Sequence, residues 1–217
     1  MKHKILLALF LCLVIIFSQK IVSIDQYRTV EVRRTSSNID EISVERLYEK
    51  NENYNIEVYY PMTKNENVNE RILEKINSLT ESVKQSNYIS NKKYLKTSFD
   101  QFEYDGIVSL KLNIKYNVGL IHDEEEIYTI NFIDDVIIDM EYIKNNEKEL
   151  YENIKDMIYK KIIDDYRIDE TKTAEIVDNI INNLNFTFVN GKMITYFNKS
   201  YVSGEKQDYI EIEIPLN

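Results

Sequence analysis

From Val108 to Val118 apolar and polar residues alternate without a break. Val108, Leu110, Leu112, Ile114, Tyr116 and Val118 share one face, while Ser109, Lys111, Asn113, Lys115 and Asn117 share the other. A strand turns successive side chains to opposite faces, so it gathers every apolar member on one side. A helix over the same residues would scatter them around its circumference. The segment therefore demands a sheet with a buried face, and the rest of the chain must supply the cover.

One cover is legible upstream. Val68, Ile72, Ile76, Leu79 and Val83 recur at spacings of four, four, three and four, a single apolar stripe on an amphipathic helix from about Glu66 to Gln85. Ile42, Val44 and the pair Leu47-Tyr48 open the ordered part. Tyr54, Ile56, Val58 and Tyr60 then form a half-buried strand that Pro61 is expected to close. Tyr94–Tyr104 is a further strand, and Ile127–Ile133 with Val136–Ile138 reads as a strand pair broken at Asp134-Asp135. Leu150, Ile154, Ile158 and Ile162 mark a second helix. Asp169 is placed to cap a third that carries Ala174, Val177, Ile181 and Leu184 inward. Asn190-Gly191, between Phe186–Val189 and Lys192–Phe197, supplies the positive φ angles of a two-residue hairpin turn. Ile210, Ile212 and Ile214 alternate in a last strand ended by Pro215. The order strand, helix, strands, helices, strands predicts an α+β fold, an antiparallel sheet packed against two to three helices.

The first residues address the chain. Lys2, His3 and Lys4 precede an apolar run from Ile5 to Phe17, and no acidic residue occurs before Asp25. That is the layout of a signal peptide over residues 1–24, with Ser18 or Ser23 at the cut. The alternative is an uncleaved membrane anchor over residues 5–24, with Lys20 at the interface. Residues 25–41 read as a linker and 42–217 as one extracytoplasmic domain. The chain is thus expected to be secreted, or held at the outer face of the cytoplasmic membrane through its N-terminal segment alone. Beyond the leader, 24 Lys and Arg stand against 37 Asp and Glu, a formal charge of −13. Such a surface repels nucleic acid and anionic lipid and attracts basic proteins. The single cysteine, Cys12, lies inside the apolar run with Leu11 before it, which fits neither a lipid anchor nor a disulfide or zinc framework. An exported chain without thiols is expected in a Gram-positive envelope.

Catalytic chemistry is sparse. His122 is the one histidine outside the leader and sits in Ile121–Glu126 beside Asp123, Glu124, Glu125 and Glu126. Those residues make either a loose metal site or a solvated acidic loop; adjacent acids splay, which favours the loop. Asp134-Asp135 and Asp164-Asp165 lack the cleft-spanning separation a glycosidase needs. Ser109 and Ser203-Gly204 have no nucleophile-elbow context, and the sequons at Asn185 and Asn198 read as incidental. Tyr59, Tyr94, Tyr104, Tyr196 and Tyr201 offer aromatic surface either for sugar rings or for packing. No cofactor is implied, and the chain does not read as an enzyme.

Three segments together carry a resemblance. Tyr59-Tyr60-Pro61 with Asn65, Asn67, Asn69, Ile72 and Ile76 looks like an opening strand and helix. Tyr116-Asn-Val-Gly119-Leu-Ile-His122 leading into Tyr128–Phe132 looks like a central strand pair. Phe188-Val-Asn-Gly191-Lys-Met-Ile-Thr-Tyr196-Phe197, with Ile210–Pro215, looks like a closing hairpin and last strand. Over residues 42–217 the chain resembles the extracytoplasmic domain of the lysozyme-binding anti-sigma factor RsiV. Related domains of unknown function accompany PdaC-type peptidoglycan deacetylases. The resemblance implies a non-catalytic binding or sensor module for a basic, lysozyme-like hydrolase, with His122, Asp123, Glu124, Glu125 and Glu126 in the ligand-facing turn. Its deacetylase-linked members imply an alternative, a peptidoglycan-binding accessory domain whose Tyr196 and Tyr201 stack on sugar. Only Met1–Lys4 precede the apolar run and the chain ends at Asn217, so neither sigma-factor binding nor deacetylase chemistry is expected.

Overall fold

The computed structural model describes residues 42–88, 91–204 and 208–216. The expected leader (1–24) and linker (25–41) lie outside the described residues. Among the described residues no helix is long and apolar enough to cross a membrane.

The first half of the domain is β1 (Ser43–Lys50), β2 (Tyr54–Met62), α1 (Glu66–Gln85), β3 (Lys93–Tyr104), β4 (Ile107–Asn117), β5 (Glu124–Ile133) and β6 (Val136–Ile137). These strands form a six-stranded sheet in sequence order. All its pairings are antiparallel except that of β2 with β3. That pair is parallel because α1 carries the chain back over the sheet before β3 begins. Asn65 caps α1, its Oδ1 accepting from Val68 N at 3.1 Å. The predicted stripe Val68, Ile72, Ile76, Leu79 and Val83 is buried throughout against Val58, Leu95, Leu110 and Leu112. Each such side chain contributes roughly 2 kcal/mol on leaving water, so packing rather than propensity holds α1. Pro61 does not close β2 as expected. It pairs with Val44, and the strand runs on to Met62. The pairing of β2 with β3 stops at Glu57, so no ladder bond towards β3 is lost at the proline.

The second half holds α2 (Met140–Asn146), α3 (Lys148–Tyr166), α4 (Glu170–Asn182), β7 (Asn185–Val189), β8 (Lys192–Asn198), α5 (Ser200–Ser203) and β9 (Tyr209–Pro215). Its three strands make a second, antiparallel sheet. The hairpin turn is the predicted one, with φ of +49° at Asn190 and +77° at Gly191. Ile154, Ile158 and Ile162 of α3 pack with Phe186, Phe188 and Met193 in a second core. Asp169 caps α4 through Thr171 N at 3.0 Å. The inward face of α4 differs at two positions from the expected one: Thr173 and Ile180 are buried, whereas Ala174 is exposed and Leu184, past the helix end, is only partly buried. The Thr173 hydroxyl satisfies itself by donating to Asp169 O at 2.9 Å, which lets a polar residue enter the core. The short α2 and α5 carry too few apolar residues to announce themselves by periodicity.

The halves meet along β7. Among the described residues no strand lies beside its free edge; side chains of the first sheet take that place. Ser109 Oγ accepts from Phe188 N at 2.9 Å, and Thr129 Oγ1 accepts from Phe186 N at 2.9 Å. Asn131 Nδ2 donates to Phe186 O at 3.0 Å, while Asn185 Oδ1 accepts from Thr129 N at 2.9 Å. The polar face of β4 is therefore partly an interior surface. Ser109 and Asn117 are both buried.

Candidate functional site

The residues singled out in the sequence divide between two places. The first is the loop 118–123 that joins β4 to β5. Asn117 organises it from below. Its Oδ1 accepts from Gly119 N at 2.6 Å, and its Nδ2 faces Leu120 O at 3.1 Å, His122 O at 3.2 Å and Asp123 Oδ1 at 3.1 Å. The segment after α1 clamps the loop from the side. Asn91 Nδ2 donates to Leu120 O at 2.9 Å and to Ile121 O at 3.1 Å, and the Ser86 hydroxyl donates to Val118 O. The outcome is a braced tip that holds two large apolar side chains in water, Ile121 at 74% and Tyr88 at 59% exposure.

Carboxylates stand beside that tip. His122, Asp123 and Glu125 line one shallow hollow together with Asn91, Ile121, Lys115 and Asp208. Lys115 Nζ lies 2.9 Å from Glu125 and 3.8 Å from Asp123. The Tyr94 hydroxyl donates to Asp123, which with the Asn117 amide holds that carboxyl below its ordinary pKa. Burial, and then the same carboxylate, push Tyr94 well above the usual phenol range. The hydrogen bond to Glu125 raises Lys115.

The acidic run is not a loop throughout. Glu124, Glu125 and Glu126 belong to β5 and lie opposite Tyr116, Lys115 and Ile114. Alternation along the strand then separates them. Glu125 joins the hollow, whereas Glu126 points to the other face and pairs with Lys75 of α1. Glu124 lines neither site. Among the described residues no group of three or more His, Cys, Asp or Glu is arranged to hold a metal ion.

The second place is a cleft of about 650 Å³ bounded by β5, α1, the start of α2 and the second sheet. Glu126, Tyr196 and Tyr201 all line it, with Tyr128 and Tyr209. Tyr196 is buried, its hydroxyl 3.1 Å from Thr187 Oγ1 and its ring faced by Lys111 Nζ at 4.1 Å from the centroid. It is a packed wall, and of the two tyrosines read as sugar-stacking only Tyr201 keeps a partly open ring. Burial raises the phenols of Tyr128, Tyr196 and Tyr209.

Tyr88, Asn91 and Asn117 were not legible as site residues, and Ile121 only as a member of the loop Ile121–Glu126. An apolar residue in a loop reads like any core residue until its surroundings are known. The spacing Asn117-Val-Gly119 did carry a signal, since a side-chain amide accepting from the second residue on is an Asx-turn habit.

The sequence matches no protein-family model and no curated protein. Solved structures are similar to it. A DUF3298 family protein from Pseudomonas aeruginosa PAO1 aligns at 12% identity and a TM-score of 0.53, over 82% of this chain and 92% of that one. A member of the same family from Bacteroides fragilis aligns at 11% identity and a TM-score of 0.45, over 87% and 92%. At such identity the likeness to the first protein is one of fold. The chain shares the architecture of a domain of unknown function.

Proposed function

We propose that this chain is a non-catalytic binding or sensor module of the cell envelope, acting outside the cytoplasmic membrane, and that its partner is a basic, lysozyme-like hydrolase. The observation that carries the reading is the braced tip. Ile121 and Tyr88 are exposed on two loops that are hydrogen-bonded together, with Asp123 and Glu125 alongside. Apolar anchors held rigid before contact lose little freedom on binding, which is how a small patch yields affinity. Carboxylates at the margin, on a chain with 37 acidic residues, speed encounter with a cationic protein and disfavour acidic ones. The leader layout supports an extracytoplasmic address. The resemblance of Tyr116–His122 and its surroundings to the RsiV family supports the choice of hydrolase.

Calorimetric titration of the full chain with a basic lysozyme at low and moderate salt tests the reading. Binding is expected at both, weaker at the higher salt as rim charges are screened. No heat at either salt removes this partner.

A further inference from the structure

We infer a second, independent ligand site: the cleft between the first sheet and the β7–β9 sheet, taking an uncharged oligosaccharide. Its volume of about 650 Å³ lies within the range of small-ligand sites. The charged groups at its edge are largely matched within the chain. Arg71 lies 3.6 Å from Asp139, and Lys75 pairs with Glu126 while facing the Tyr128 ring 5.7 Å from its centroid. A charged ligand would compete with these partly exposed pairs, whereas a neutral one leaves them in place.

What the cleft leaves open is aromatic and amide chemistry. Asn185 spends its Oδ1 on Thr129, and its Nδ2 has no partner among the described residues. The hydroxyls of Tyr128 and Tyr201 likewise have none, and both rings are only partly buried. Tyr209, by contrast, is fixed by accepting from Ile127 N at 3.0 Å. At the floor Asn131 is 2% exposed and its Oδ1 is unpaired, an acceptor that an ordered water or a ligand hydroxyl would complete. Flat apolar rings beside free donors and acceptors suit a sugar, whose ring faces are apolar and whose rim is hydroxylated.

The cleft and the hollow at the tip share no lining residue, so the two can fail separately. The experiment is calorimetric titration of the full chain with chitotetraose, cellotetraose and a heparin-derived tetrasaccharide. Proton NMR of the tyrosine rings follows the same titrations. At least one neutral tetrasaccharide should bind with a Kd on the order of 0.1–1 mM, ahead of the heparin fragment. The rings of Tyr128 and Tyr201 should shift, while Tyr88 and Tyr54 stay still. Tyr201→Ala should weaken binding roughly three- to tenfold, and Ile121→Ala should leave it unchanged. The assignment is overturned if neither neutral sugar binds or the heparin fragment binds tighter. Shifts confined to Tyr88 overturn it as well. So does loss of sugar binding in Ile121→Ala, which would put the sugar at the tip. Should Tyr201→Ala not fold, the ring shifts of the unaltered chain decide the matter alone.

Discussion

Gly119 and Tyr88 touch backbone to backbone. A Cβ built on Gly119 would lie 2.2 Å from the Tyr88 carbonyl oxygen, and φ at Gly119 is +94°. Only a glycine allows both that approach and that conformation. The contact brings the segment after α1 against the β4–β5 loop, and with it the two exposed apolar side chains of the tip.

Gly119→Ala is therefore expected to force the loops apart. Strain at positive φ and a clash with a backbone carbonyl together cost about 2–4 kcal/mol. In a domain of this size that lowers the melting temperature by about 5–15 °C. Thermal denaturation followed by circular dichroism measures it. The amide resonances of Leu120 and Ile121 should move while those of the β7–β8 hairpin do not.

Ser109→Ala tests how the halves are joined. Ser109 is fully buried and its hydroxyl oxygen takes the Phe188 N–H at 2.9 Å. The alanine leaves that donor buried without an acceptor, which costs about 1–3 kcal/mol. Urea denaturation should show a lower midpoint with an unchanged slope. An unaltered midpoint would mean that water reaches the β7 edge.

Ser109 also marks the limit of what the sequence discloses. The alternation Val108–Val118 and the stripe Val68–Val83 specify strand and helix by period, and Asn190-Gly191 specifies a turn by the φ angles it tolerates. These were legible because each is local. A polar residue on the second face of a strand looks the same whether it meets water or another strand's edge, so the burial of Ser109 and Asn131 was not. Register is equally silent. Glu124, Glu125 and Glu126 read as a loop because acids are uncommon in strands, yet opposite Tyr116, Lys115 and Ile114 they continue one. Pairing with Lys115 and Lys75 is what makes that placement tolerable. Of the expected site, His122, Asp123 and Glu125 meet at the tip, while Glu126, Tyr196 and Tyr201 meet in the cleft.

The tip should loosen in acid. The Asp123 carboxyl is held below its ordinary pKa, first by the Tyr94 hydroxyl and then by Asn117. A group with a lowered folded pKa stabilises the fold above its unfolded pKa, and that contribution disappears as pH falls through the folded value. The network should thus be intact at neutral pH. It should weaken only below about pH 4, the ordinary carboxylate range. Amide shifts of residues 117–123 followed from pH 7 to pH 2 report it. A transition centred well above that range would show that a group other than Asp123 holds the loop.

The last expectation separates anchor from steering at the tip. Ile121 is 74% exposed and touches little of its own protein, so Ile121→Ala should leave stability within about 0.5 kcal/mol. If the side chain seats in a partner, its loss removes a buried anchor and raises the dissociation rate roughly tenfold or more. Glu125→Gln should act on the other rate. It removes a marginal carboxylate paired with Lys115, so association slows and becomes less sensitive to salt while dissociation is little changed. Surface-plasmon measurements with an immobilised basic lysozyme resolve both rates. Equal effects of the two variants on association alone would show that Ile121 remains in water in the complex, and that the tip steers its partner without gripping it.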